Sequence, residues 1–259
     1  MHGQCNQFFS ISMRKLFENS GNQLFKYRGQ IPLLLFCVAI PLLFIDKNHS
    51  FFVSHLGEFT RNLLVVLLLI LGHFTRFFVI GFREIHTSGK NRDQQVANSL
   101  NISGMYSIVR HPLYLGNFLI WFGLFIWLGN AWFVLIGAIF FFFFYRGIIK
   151  TENQFLVQQF GDKYHNWSSK TPAFFPLKGI SKYVKPRSNF SFKMVWKNEY
   201  PGIVSSLSTI WFISLLRLMF TEEKLTISVM LLLFALAIAL FGFGSRYLKH
   251  KTNFFPEMG

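Results

Sequence analysis

The stretch from residue 113 to residue 145 decides the fold: LYLGNFLIWFGLFIWL (113–128), GN (129–130) and AWFVLIGAIFFFFFY (131–145). Because only two residues separate the apolar runs, they predict two membrane helices joined in a tight hairpin. The whole chain agrees, since 52% of its 259 residues are hydrophobic and 14% are charged. Soluble domains carry about 25% charged residues. The sequence therefore predicts an integral membrane protein.

Four further apolar runs predict membrane helices of their own. They are residues 31–45, 63–82, 203–220 and 225–248. With the hairpin they give an all-α integral membrane protein of about six transmembrane helices. We divide the chain into four parts: a tail with two helices (1–82), a core of loop, hairpin and following segment (83–176), a basic linker (177–202), and two extra helices with a basic tail (203–259).

The net charge of +15 is concentrated in particular loops and at the termini. The N-terminus and residues 83–110 are basic, and residues 146–199 hold ten Lys/Arg against three Asp/Glu. Residues 46–61 and 221–224 lack this excess. Basic loops of membrane proteins stay in the cytoplasm. We therefore expect both termini and both large basic loops there, as in a bacterial inner-membrane protein, and we assign the charge to orientation rather than to nucleic acid.

No metal site is predicted. Cys5 and Cys37 match no disulfide or metal spacing, and the eight histidines are scattered along the chain.

The loop that runs into the hairpin, residues 104–116, has the composition of a binding site. Pro112 suits the first position of a helix, which makes His111 the cap residue. The N–H groups of a helix start favour an anion, and Arg110 adds a permanent cation. The loop also offers aromatic faces and flexible backbone, from Tyr106, Tyr114, Gly104 and Gly116.

Two blocks of the chain resemble a known family. The first is Thr87-Ser88-Gly89-Lys90 with Gly104-x-Tyr106-x-x-x-Arg110-His111-Pro112-x-Tyr114-x-Gly116. The second is Glu152, Leu156 and Phe160-Gly161-Asp162-Lys163-Tyr164, closed by Pro172 and Pro176. Together they resemble the isoprenylcysteine carboxyl methyltransferase family, which is itself similar to the phospholipid methyltransferases. The resemblance covers about residues 87–176.

The resemblance implies methyl transfer from S-adenosylmethionine in a cytoplasmic pocket. The implied cofactor-binding residues are Tyr106, Arg110, His111, Pro112, Tyr114, Gly116, Glu152 and Tyr164. As catalytic residues we expect Arg110, from the same loop, and Arg146, a cation close to Glu152 in the sequence.

The residue types suit that cofactor independently of the resemblance. The helix start with Arg110 offers a place for the carboxylate, Glu152 for the ammonium or ribose, and aromatic faces for the adenine and sulfonium. We expect Glu152 to open an amphipathic helix that Gly161 ends. If that helix folds back under the hairpin, Glu152 reaches the Arg110 loop.

Two positions depart from the family pattern. Asn153 follows Glu152 where the family has a second Glu. Ile148 stands where the family has an Arg that the resemblance links to the acceptor. Arg146 is offset by two residues, which turns it about 200° around a helix. We therefore expect the methyl acceptor to differ from that of the family, and S-adenosylmethionine binding to be retained.

The acceptor is expected to be an anionic oxygen on a membrane lipid or lipidated molecule. An anion needs positioning in line with the methyl group rather than a general base, and the cluster is rich in cations. Residues 87–91 and 99–101 also resemble a bacterial branch that methylates a lipid A phosphate. His73 and Arg76, one turn apart inside the second predicted helix, are candidate head-group contacts, although Arg76 is close enough to the helix end to snorkel.

Other interpretations stay open. The Arg-His-Pro-x-Tyr loop also resembles membrane reductases of the sterol-reductase type, which use NADPH, although those often have an acidic residue where this chain has Asn117. A non-catalytic membrane protein is the other alternative. Arg110, Tyr164 and Trp167 are each compatible with interfacial anchoring, His111 with capping alone, and Glu152 with a solvated helix start.

Overall fold

The computed structural model describes residues 35, 39–42, 51–83, 98–176, 180–221 and 227–251. The described part of the chain is mainly α-helical. After a short helix, α1 (Phe51–Leu56), the chain forms five longer ones: α2 (Glu58–Gly81), α3 (Pro112–Leu128), α4 (Ala131–Ser168), α5 (Phe192–Thr221) and α6 (Val229–Lys251). Two 3₁₀ turns lie at Met105–Ser107 and Ile180–Lys182. Within the described ranges the β-type pairing is a single bridge, between Gly104 and Val184.

The all-α membrane architecture is confirmed. Helices α2, α4, α5 and α6 are long and apolar enough to cross a membrane, and α3 is a shorter apolar helix. These five match the predicted runs from residue 63 onward. Most of the predicted first span, residues 31–45, lies outside the described residues. Of this span the structure describes residues 35 and 39–42, which are helical.

The last part of the predicted linker, residues 177–202, is helical, because α5 begins at Phe192 and contains Pro201. Polar residues such as Lys193 and Glu199 made this part of the sequence look like a loop. The helix accommodates Glu199 because the carboxylate has a buried partner on α2.

The predicted hairpin between α3 and α4 is confirmed. Gly129 closes α3 in the left-handed conformation, with φ of 93°, which glycine adopts without steric cost. Asn130 caps α4, since its side chain accepts a hydrogen bond of 3.0 Å from the Phe133 amide. The two-residue turn therefore forces α3 and α4 to run antiparallel.

Glycines let α2 and α3 approach closely. A Cβ at Gly116 would lie 2.6 Å from Arg76 Cγ and 2.9 Å from the carbonyl oxygen of Gly72. Small residues at such contacts are typical of membrane helices, where backbone approach replaces the hydrophobic driving force.

Successive helices alternate in direction, so the end of α2, the start of α3, the end of α4 and the start of α5 meet at one end of the bundle. A segment that we call the strap, residues 183–191, ties α5 to this end. Gly104 N–H donates to Val184 O at 2.7 Å, and Ser191 N–H donates to Gly81 O at 2.8 Å.

Candidate active site

The loop before α3 is held by backbone bonds to the segment that follows α4. Arg110 N–H donates to Pro172 O at 2.9 Å, and His111 N–H donates to Ala173 O at 3.2 Å. These bonds place Arg110 and His111 beside the C-terminal part of α4. The second block of the sequence motif is thereby brought to the first.

His111 occupies the cap position of α3, with Pro112 first in the helix, as predicted. Its side chain makes no capping hydrogen bond. The ring instead faces α4: Nε2 lies 3.1 Å from Asn153 Oδ1, and Nδ1 lies 3.4 Å from Glu152 Oε2. His111 is therefore more than a cap, because it joins the loop to α4.

Tyr164 links Arg110 to the same cluster. Its hydroxyl donates to Asn153 Oδ1 at 2.7 Å and accepts from Arg110 Nη1 at 3.4 Å. Asn153, which replaces the second Glu of the family pattern, thus holds both His111 and Tyr164. Arg110 Nε is buried and has no hydrogen-bond partner among the described residues. The guanidinium keeps donor capacity that a bound anion can use.

The expected short helix from Glu152 to Phe160 is wrong, because Glu152 lies inside the continuous helix α4. No helix breaker separates Glu152 from the hairpin, so the helix that begins at Ala131 continues through it. The predicted break at Gly161 is seen as a kink, with φ of 47° and ψ of −123°, after which the helix resumes. The last turns then return to the loop, where Trp167 Nε1 donates to the Tyr106 carbonyl at 3.1 Å.

Tyr106 lies close to the charges of the site. Burial raises the pKa of its phenol, the negative charge of Glu152 raises it further, and Arg83 opposes both. The hydroxyl therefore stays protonated at neutral pH, available as a hydrogen-bond donor.

The other predicted cofactor residues occupy the helix start behind the cluster. Tyr114 is buried, and its ring centroid lies 5.7 Å from that of His111. Pro112 is fully buried. Gly116 packs against α2 and leaves room for the Arg76 side chain, so its visible role is in helix packing.

Arg146 is not brought to this cluster. It lies on an exposed part of α4, with its guanidinium carbon 6.0 Å from the centroid of the Phe142 ring. Ile148 points inward and is completely buried. The two-residue offset thus has the geometric effect that helix periodicity predicts. The predicted Thr87-Ser88-Gly89-Lys90 entry lies outside the described residues.

A second polar cluster lies deeper among the helices. Arg76 Nε and Nη2 donate to the two carboxylate oxygens of Glu199, at 2.6 and 2.8 Å. Arg76 Nη1 donates to Asn117 Oδ1, and Asn117 Nδ2 donates to the Tyr145 hydroxyl at 2.9 Å. Beside it, His73 Nε2 lies 3.0 Å from Ser206 Oγ. This network joins α2, α3, α4 and α5.

Sequence reasoning selected His73 and Arg76 but missed their partners. Arg76 does not depend on snorkelling, because Glu199 neutralises its charge within the bundle. The available signal was a lone carboxylate, Glu199, just before a long apolar run. Asn117, Tyr145 and Asn153 gave no such signal, since polar residues in apolar helices disclose their partners only after folding.

In the part of the chain that the structure describes, no three His, Cys, Asp or Glu side chains form a group that could hold a metal ion.

Comparison with known proteins gives the same assignment as the motifs. Residues 60–163 match the family model of the phospholipid methyltransferases. A 96-residue segment is 34% identical to the protein-S-isoprenylcysteine O-methyltransferase of Schizosaccharomyces pombe, covering 37% of this chain and 39% of that protein. A 79-residue segment is 38% identical to the cobalt-zinc-cadmium resistance protein CzcN of Cupriavidus metallidurans, covering 30% of this chain and 36% of that protein.

The matches thus span less than two-fifths of either relative, and no solved structure matches the chain. The matched family segment contains the first motif block, the hairpin and Glu152. Residues 60–163 are therefore similar to the phospholipid methyltransferases.

Proposed function

We propose that the protein is an S-adenosylmethionine-dependent methyltransferase that acts on a membrane lipid or lipidated acceptor. The observation that supports this most is the meeting of two distant motif blocks. His111 contacts Asn153, 42 residues away, and Arg110 contacts Tyr164, 54 residues away. A non-catalytic scaffold gives no reason for these blocks to converge.

The side chains of the cluster fit the charges of the cofactor. Arg110, whose buried Nε has no hydrogen-bond partner among the described residues, suits a carboxylate. Glu152, whose side chain is partly exposed beside His111, suits an ammonium. Tyr106 offers a protonated hydroxyl nearby. S-adenosylmethionine would supply an activated methyl group here, and the role of these residues is to bind and orient it.

Arg146 is a weaker candidate for the catalytic role that the sequence suggested. Its exposed position on α4, away from Ile148, leaves Arg110 as the better-placed cation. We retain Arg146 only as a residue that an acceptor head group meets at the surface of the helix.

An anionic oxygen is the acceptor that the charges favour. An amine acceptor has to lose a proton, which requires a base near the methyl group. Glu152 faces His111, and Glu199 accepts hydrogen bonds from Nε and Nη2 of Arg76, so both carboxylates already have partners. A phosphate or carboxylate needs no such base. It needs alignment, which the loop and α4 provide.

The acceptor is expected to enter from the bilayer, with the site on the cytoplasmic side. The outer faces of α2 and α4 are apolar and exposed, as at Ile70, Phe74, Phe142 and Phe143. Exposed apolar faces on long apolar helices are typical of helices that contact lipid. A lipid-borne substrate therefore reaches the cluster by diffusion within the membrane.

Binding and lipid analysis together test the proposal. The full chain in nanodiscs is expected to bind S-adenosylmethionine and its demethylated product, S-adenosylhomocysteine, in competition with each other and not with NADPH. Lipids from host cells with the intact gene should include a species one methylene heavier than in cells without it. Binding of NADPH instead would support the reductase alternative, and a methylated soluble metabolite with unchanged lipids would refute the lipid acceptor.

A further inference from the structure

The Arg76–Glu199 pair is an expensive feature for a membrane bundle. The Glu199 side chain is 1% exposed and that of Arg76 is 22% exposed. Arg76 lies five residues before the end of α2, about 8 Å below it at the rise of an α-helix. Buried ion pairs rarely stabilise a fold more than apolar residues of similar size. Ionisable groups inside a membrane protein more often serve function.

The pair sets the orientation of the side chains that follow it. A guanidinium only donates, so the Asn117 side chain turns its oxygen toward Arg76. The amide nitrogen then necessarily faces α4, where it donates to the Tyr145 hydroxyl. Glu199 on α5 thus holds Arg76 on α2, and Arg76 in turn sets the donor and acceptor directions of Asn117 on α3 and Tyr145 on α4.

The hydrogen-bond network contacts the candidate site through packed aromatic rings. The Tyr145 ring lies edge-on to Tyr114, with centroids 5.1 Å apart. Tyr114 is nearly parallel to the His111 ring at 5.7 Å. His111 in turn faces Asn153 and Glu152. Tyr145, Tyr114 and His111 are buried, and Asn153 and Glu152 are half-buried.

We propose that Glu199 is a positioning residue of the active site, acting through Arg76, Asn117 and Tyr145 on the wall behind His111. Helix α5 lies outside the family match, but under this proposal it is part of the methyltransferase unit. The inference rests on the proposed function, because its effect is measured at the cofactor site.

The test is the affinity of S-adenosylhomocysteine, titrated by calorimetry into the full chain in nanodiscs of phosphatidylcholine and phosphatidylglycerol. Glu199→Gln keeps the shape but removes the charge, and is expected to weaken binding about three- to tenfold, the effect of one or two hydrogen bonds. Tyr145→Phe removes only the hydroxyl at the other end of the network and should weaken binding similarly. The double variant should lose no more than the larger single loss.

Ser206→Ala is the matched control, since it removes the neighbouring α2–α5 contact with His73 but lies outside this network. Its affinity should stay within about twofold of wild type. Equal losses in Ser206→Ala, additive losses in the double variant, or wild-type affinity in Glu199→Gln and Tyr145→Phe would each overturn the inference. If Glu199→Gln does not fold, wild-type affinity in Tyr145→Phe still overturns it. Failure of the wild-type chain to bind would instead refute the proposed function.

Discussion

Trp167 donates a hydrogen bond of 3.1 Å from its indole nitrogen to the Tyr106 carbonyl, which fastens the end of α4 to the loop before α3. The two residues are 61 positions apart and meet only because α4 bends at Gly161. The kink therefore carries Tyr164 and Trp167 back to the site.

Gly161→Ala is expected to lower both stability and cofactor affinity. With φ of 47° and ψ of −123°, the position is one that side-chain-bearing residues rarely adopt, although a Cβ there would meet no atom of the described residues within 4 Å. The cost, about 1–3 kcal/mol, is therefore strain in the backbone. Thermal unfolding and calorimetry measure the two effects. Gly244→Ala, in α6 and equally free of close neighbours, is the control and should be neutral or stabilising.

Glu152→Gln is expected to weaken S-adenosylmethionine binding by one to two decades. A hydrogen bond to a charged group contributes about 1.5–3 kcal/mol, and the amide keeps the shape of the side chain while losing its charge. Asp162→Asn removes an exposed carboxylate from the same helix and should bind as wild type does. Equal affinity in the two variants, measured by calorimetry, would exclude Glu152 from the cofactor site.

Tyr164→Phe is expected to weaken cofactor binding about three- to tenfold, because it removes the hydroxyl that bridges Asn153 and Arg110. The ring remains, so packing around Leu156 and Leu100 should persist and the melting temperature should fall little. Tyr183→Phe, at an exposed position in the strap, is the matched control. A loss of stability without a loss of affinity would assign Tyr164 to structure alone.

Gly116→Ala tests the approach of α2 to α3. Its new methyl group would meet Arg76 Cγ at 2.6 Å and the Gly72 carbonyl at 2.9 Å, and backbone cannot move aside easily. Overpacking of this kind costs about 1–3 kcal/mol, more than the helix propensity gained. We expect a lower melting temperature. Gly242→Ala, whose Cβ would make only ordinary contacts at 3.5 Å or more, should not show it.

Cysteine labelling tests the predicted orientation. In a chain without Cys5 and Cys37, single cysteines at Ser169 and Ser228 lie on either side of α5 and should react from opposite faces of the membrane. Cytoplasmic reaction is expected at position 169. Reaction of both from one face would contradict a membrane-spanning α5.

The features that sequence predicts well are local ones. The hairpin follows from Gly129 and Asn130 between two apolar runs, and the start of α3 follows from His111 and Pro112. Each depends on neighbouring residues, whose backbone preferences are known in advance.

The features that sequence does not predict depend on pairing across the fold. Glu199 lies 123 residues from Arg76, and nothing local distinguishes it from a solvated carboxylate. Gly161 was expected to end a helix, since positive φ usually does so, but the residues after it resume the helix. Likewise, only the folded structure shows that Asn153 takes a place among the side chains of His111 and Tyr164.

The bridge between Gly104 and Val184 also constrains the order of biosynthesis. The loop leaves the ribosome well before its backbone partner, and the hairpin inserts into the membrane between the two. A nascent chain ending after α4 thus lacks the bond that holds Gly104, as well as the Glu199 counter-charge for Arg76. The site is therefore expected to reach its final form only after α5 has been synthesised, so a ribosome stalled before that point should carry an inserted but inactive chain.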